Sequence, residues 1–195
     1  QEHVFYYITC MNENYPHPAM PAGVTQGILN GMYLLQIGGR GKVRVTLFGA
    51  GTILREVLAA AELLEKSYGV PADVYSVTSF SELRKNALAI ERQNLLHPNE
   101  PRRQTYIEQA LADREGPFIA ATDYVKTVPD QIRQWVPGRY WVLGTDGFGR
   151  SDSRAELRRF FEVDRHYVAV AALKALADEG KIDKQTVTDA MQTFG

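Results

Sequence analysis

From residue 43 onward, short apolar runs alternate with amphipathic stretches of helical period, and this alternation constrains the fold more than any other feature. Val43–Phe48 reads as a strand and Gly49–Thr52 as a tight turn. Ile53–Tyr68 reads as a helix, with Ile53, Val57, Ala60, Ala61 and Leu64 recurring on one face before Gly69 ends it. Ala72–Thr78 is the next strand, followed by a helix from Ser81 to Leu96 that stops before Pro98. Beyond the Gly116-Pro117 break come a strand at Phe118–Ala121, a short helix at Val128–Val136 ended by Pro137, and a strand at Tyr140–Leu143. Ser153 and Glu156 form a capping-box signature for a helix over Ala155–Phe161. Asp164 caps a helix over His166–Asp178, closed by Gly180, and Asp183 caps the last one. Strands separated by helices cannot be joined by hairpins, so the pattern predicts a parallel or mostly parallel sheet covered on both faces.

The first forty residues follow a different plan. Val4–Cys10 is aromatic and β-branched and reads as a strand. The proline-rich stretch Asn12–Pro21 predicts an extended arm, because proline fixes φ and removes a donor. The pattern leaves the type of Gln26–Gln36 open, and Gly38–Gly41 is a turn. The division expected is a lead-in arm over residues 1–40 and a domain over 41–195.

A formal net charge of -1 with no basic block argues against a broad nucleic-acid surface. No apolar run reaches membrane-spanning length, and the start has no signal-peptide plan. The single cysteine, Cys10, excludes an internal disulfide, fits a cytoplasmic setting, and reads as a buried inert thiol. A chain that opens at Gln1 and runs straight into apolar sequence is expected to be cut from a longer polypeptide.

The residues that could carry chemistry are few. Phe48-Gly49-Ala50-Gly51 between a strand and a helix suggests a nucleotide-binding turn, but Leu54 stands where a third glycine belongs and no acidic residue ends the next strand. His3, His17, His97 and His166 have no metal-ligand spacing, and His97 reads as a helix C-cap. No GxSxG elbow supports a hydrolase triad, and Arg102-Arg103 and Arg158-Arg159 read as solvated or ion-paired. The glycine-rich run after Leu143 is the most distinctive loop. Asp146 and Asp152 could pin it through Arg150 and Arg154, while Phe148 between two glycines suits a subunit contact, a lid or a packed turn.

Several long stretches carry a family resemblance: VFYYITCMNENYPHPAMP at Val4–Pro21, GTILREVLAAAELL at Gly51–Leu64, ADVYSVTSFSELR at Ala72–Arg84, ERQNLLHP at Glu91–Pro98, IAATDYVK at Ile119–Lys126 and VLGTDGFGRSDSRAELRRFFEVD at Val142–Asp164. Together they resemble the C-terminal domain of the homodimeric type of bacterial pyruvate dehydrogenase, its decarboxylating component, within the transketolase superfamily. Phe148-Gly149-Arg150-Ser151 is similar to the matching loop of that wider superfamily.

The resemblance implies a three-layer α/β/α domain with a five-stranded mixed, mostly parallel sheet. It implies a parent enzyme that uses thiamine diphosphate and Mg²⁺ to decarboxylate pyruvate and acetylate a lipoyl group of the dihydrolipoyl acyltransferase component. That family holds its cofactor through a GDG…NN motif and an activating glutamate in earlier domains, and neither motif occurs here. No catalytic, cofactor or metal residue is therefore expected in this chain, only a dimerisation and scaffold role. Asp146, Phe148, Arg150, Ser151 and Asp152 are expected as a subunit-contact or structural loop, and Glu13, Asn14, Tyr15 and His17 as a contact arm. A nucleotide-binding module built on Gly49–Gly51, and docking of the acyltransferase or its lipoyl domain through arm or loop, are the alternatives.

Overall fold

The computed structural model describes residues 3–8 and 13–194. Helix α1 (Thr25–Asn30) turns at left-handed Gly31 into β1 (Met32–Gln36). Then follow β2 (Val45–Ala50), a 3₁₀ turn, α2 (Leu54–Tyr68), β3 (Ala72–Val77), α3 (Phe80–Leu96), α4 (Tyr106–Ala110), β4 (Phe118–Ala121) and α5 (Thr127–Asp130). β5 (Tyr140–Leu143), α6 (Arg154–Phe160), α7 (Arg165–Asp178) and α8 (Lys184–Phe194) complete the order. The strands form one five-stranded sheet in the order β1-β3-β2-β4-β5. β1 runs antiparallel to β3, and the other pairs are parallel. The expected mixed, mostly parallel α/β sheet is present.

Every residue of β2, β3 and β4 is buried, so the sheet must be covered on both faces. Val45, Leu47, Val74 and Ile119 pack on one side with α2, α7 and α8. Phe48, Tyr75, Phe118 and Tyr140 pack on the other with α3 and α4. Phe48 sits at the centre of that second layer, its ring 5.7 Å from Tyr75 and 6.0 Å from both Phe118 and Tyr140. Gly49 marks the closest approach of strand to helix. A Cβ there would lie 2.8 Å from the Leu54 Cα and 3.2 Å from the Val57 Cβ. One buried acid, Asp73, is satisfied at the opposite end of the sheet by Arg44 (2.6 Å), Arg114 (2.9 Å) and the N–H of Gly38 (2.9 Å).

Several expectations need correction. The described part of Val4–Cys10 is not a strand: His3–Ile8 pair with nothing in the sheet, and Phe5 and Tyr7 are 92% and 91% exposed. Strand composition alone does not make a strand: His3–Ile8 joins neither outer strand of the sheet, β1 or β5. Cys10 lies outside the described residues. Gln26–Gln36 resolves into α1 and the antiparallel β1. Val128–Val136 is not one helix but α5 followed by a 3₁₀ turn at Arg133–Trp135. Pro129, Ile132 and Trp135 are buried at intervals of three, the 3₁₀ period, and Val136 follows them into the core. Replacing Phe48 with Ala should cost about 3–5 kcal/mol of stability, read by urea denaturation. A loss below about 1 kcal/mol would contradict its central place in the aromatic layer.

Candidate functional site

β2, β4 and β5 run parallel and all end at the same edge of the sheet. The chain leaves β2 toward β3 on one side and leaves β4 toward β5 on the other. A crevice opens where connections diverge in this way, and it is where open α/β sheets place ligands. Here the crevice encloses about 400 Å³. Thr52 lines it from the β2 side, Asp123 from the end of β4 and Thr145 from the end of β5. Arg150, Arg154 and Arg158 line the facing side.

The loops that build the floor are tied to one another. The Thr145 hydroxyl donates to the Asp123 carbonyl (2.6 Å), and the Thr145 N–H to the Tyr124 carbonyl (2.9 Å). The Thr52 hydroxyl donates to the Asp123 carboxylate at 3.4 Å. Asp146 accepts the N–H of Lys126 (2.8 Å), and Asp152 accepts that of Ser153 (2.7 Å). Asp146 thus ties the loop to the backbone after β4 and Asp152 holds backbone at the loop's end, which differs from the ion-pair pinning anticipated for them. Arg150 lies 4.5 Å over the ring of Phe160, itself edge-on to Phe161. Ser151 is exposed, and Phe148 is 96% exposed. Gly147 adopts φ +88°, and a Cβ on it or on Gly149 would meet nothing within 4 Å. The loop tip therefore stands clear of the domain.

The arm reaches the same region. Glu13 pairs with Arg154 (2.7 Å) and accepts the Tyr15 hydroxyl (2.7 Å). Arg55 lies 4.5 Å over the Tyr15 ring, with Arg158 at 5.9 Å. The structure thus joins two of the expected arm residues to the helix that follows the loop, while Asn14 and His17 are exposed. Of the basic pairs, Arg102 and Arg103 meet Glu108 and Glu100, and Arg158 meets Glu56.

Glu56 escaped the sequence reading. Its side chain is 6% exposed and accepts from Arg165 (2.9 Å), Arg158 (3.2 Å) and the backbone N–H of Arg165 (3.2 Å). It ties α2 to both α6 and α7. A signal was available: Glu56 falls three residues after Ile53 and four before Ala60, inside the apolar stripe of its helix. Burial pushes its carboxyl up, but the hydrogen bonds and charge of Arg165, with Arg158 behind it, outweigh that and hold it below 4.5.

The Gly49–Gly51 turn does not suit a pyrophosphate. Gly49 is filled by α2, and a Cβ on Gly51 would stand 3.3 Å from the Asp123 carboxylate, which repels an anion at that spot. Among the described residues no three His, Cys, Asp or Glu side chains converge as a metal site. A magnesium-bound diphosphate does not fit this turn.

Glu56→Gln should lower stability at neutral pH by about 1.5–3 kcal/mol, because two arginines lose a shared carboxylate. A depressed carboxyl stabilises fully above its ordinary value, and that contribution fades as pH falls through the lowered folded value. The gap between the two proteins should therefore shrink in acid. Thermal melts from pH 7 to pH 3 check this, and a constant or widening gap would contradict it.

Comparison with known proteins fits this architecture. The family model described as "Transketolase-like TK C-terminal domain" matches residues 31–164. Over its whole length the chain is 57% identical to a pyruvate dehydrogenase E1 component of Pseudomonas aeruginosa and 54% identical to that of Escherichia coli K12, spanning 22% of each relative. In fold it is similar to a transketolase from Leishmania mexicana, with TM-score 0.52 and 17% identity, over 78% of this chain and 19% of that one. A Campylobacter jejuni transketolase gives TM-score 0.51 and 21% identity, over 74% and 18%. The chain belongs to the transketolase-like TK C-terminal domain family, and its homologues among bacterial pyruvate dehydrogenase E1 components share its whole length.

Proposed function

We propose that the chain is the C-terminal domain of a homodimeric pyruvate dehydrogenase decarboxylating component and serves its assembly. The observation that carries this is 57% identity along the entire chain to a pyruvate dehydrogenase E1 component. The whole enzyme would convert pyruvate to CO2 and an acetyl group passed to the lipoyl group of the dihydrolipoyl acyltransferase. Thiamine diphosphate and Mg²⁺ would be bound by domains outside this chain, and the setting would be the bacterial cytoplasm.

Within that enzyme, residues 1–40 act as the lead-in and 41–195 as the domain proper, with β1 lent by the lead-in to the sheet edge. The loop from Asp146 to Asp152 and the arm residues Glu13, Asn14, Tyr15 and His17 act as contact elements. What supports this is exposure of large apolar groups, which monomeric surfaces seldom display in clusters: Phe148 at the loop tip and Phe5, Tyr6 and Tyr7 before the arm. No helix among the described residues is long and apolar enough to cross a membrane.

The reading is tested by exchange. Grafted in place of the matching segment of the Pseudomonas aeruginosa E1 component, the chain should support pyruvate-dependent acetylation of lipoyl domains. A soluble chimera that binds cofactor yet turns over no pyruvate would count against the reading. Phe148→Ser should change the melt of the chain alone by no more than about 0.5 kcal/mol. In the chimera it should weaken the dimer, as read by sedimentation equilibrium; an unchanged dimer constant would remove Phe148 from the contact. Calorimetry of the chain alone with thiamine diphosphate and Mg²⁺ should give no saturable heat, and micromolar binding would overturn the assignment of the cofactor to other domains.

A further inference from the structure

The crevice at the carboxyl ends of β2, β4 and β5 has two chemically different ends. Three arginines, Arg150, Arg154 and Arg158, stand on one side, and Thr52, Asp123 and Thr145 on the other. Leu157 and Phe161 supply an apolar wall between them. A ligand matched to this lining is anionic at one end and a hydrogen-bond donor at the other. We propose that the crevice binds a small hydroxylated anion, a phosphate or carboxylate bearing hydroxyl groups, in competition with the Glu13 carboxylate of the arm.

The arginines differ in how they are held. Arg158 is fixed from behind by buried Glu56, so its position does not depend on a ligand. Arg150 sits over the ring of Phe160, which holds its guanidinium at the crevice. Arg154 is engaged by Glu13, a residue of the extended arm that is half exposed. Glu13 is thus a carboxylate delivered by the chain itself to an arginine that lines the cavity. The Tyr15 hydroxyl and Arg154 both hold its carboxyl below the ordinary range, so it is ionised at neutral pH. A half-exposed pair of this kind contributes little. An anion that meets more than one arginine in bidentate fashion gains more than the pair loses.

The opposite end suits hydroxyl groups. Asp123 presents a carboxylate acceptor beside the Thr52 hydroxyl, and a bare phosphate placed there would be repelled. The ligand's polarity is therefore set, with its charge at the arginines and its hydroxyls at Asp123. Entry is open, since Gly147 and Gly149 have no side chain to close the mouth and their Cβ positions face empty space.

The test uses the folded 195-residue chain, titrated at fixed ionic strength with glycerol 3-phosphate, inorganic phosphate and glycerol while the amide resonances of Thr52, Thr145, Gly147 and Gly149 are followed. Glycerol 3-phosphate should give saturable shifts and bind more tightly than either fragment. Glu13→Gln should tighten binding by about two- to five-fold, the size expected from releasing an exposed ion pair. Arg150→Ala, a change in an exposed loop, should weaken it by about five-fold or more. Shifts that never saturate, no preference for glycerol 3-phosphate over phosphate, or unchanged or weaker binding in Glu13→Gln would each overturn the proposal. The readout is binding to this chain and needs no pyruvate turnover, so its failure leaves the assembly role untouched.

Discussion

The burial of β2, β3 and β4 on both faces is the constraint from which the rest of the structure follows. Strands without a wet face must be sandwiched between helices, and parallel strands must be joined by long crossovers. Both faces are then lost to solvent, so the sheet itself can offer polar groups to a ligand only at the strand ends. The amino ends are closed by the Arg44–Asp73–Arg114 cluster. The carboxyl ends carry the crevice, the glycine-rich loop and the docked arm.

Glu56 makes that second edge a defined surface. One buried carboxylate accepts from two arginines on two helices, α6 and α7, and fixes both relative to α2. Arg158 turns its other side to Tyr15, so the position of the arm depends in part on the same carboxylate. An ion pair taken out of water contributes less to stability than its Coulomb attraction suggests, because desolvation offsets much of it. Its value here is geometric: it fixes how α6 sits on α2 and, through Arg158, where the arm lies.

Much of this order is legible in the sequence. The apolar runs Val43–Phe48, Ala72–Thr78, Phe118–Ala121 and Tyr140–Leu143 mark four of the strands, although β2 extends through Gly49 to Ala50 where a turn was expected, and Ser153 and Asp164 mark the starts of the helices after β5. What was hidden depended on partners. Met32–Gln36 becomes a strand by pairing antiparallel with β3, whereas the equally strand-like Val4–Ile8 pairs with neither outer strand. Loop residues Asp146–Asp152 and the arm were recognisable as unusual, but their pairing of Glu13 with Arg154 joins positions far apart in the chain. Thr52 and Asp123 carry no local motif, and only the fold brings them to the crevice edge.

On this reading the domain organises contacts and leaves the reaction to other domains. The structure of the assembled, thiamine-diphosphate-loaded dimer containing this chain tests it most directly. With no anion in the crevice, Glu13 and Tyr15 should stay on Arg154 and Arg158, Phe148 should be buried against another domain or subunit, and no side chain of residues 3–194 should lie within hydrogen-bond reach of the reacting thiazolium or pyruvate atoms. A side chain from the crevice or the Asp146–Asp152 loop in contact with those atoms would contradict it.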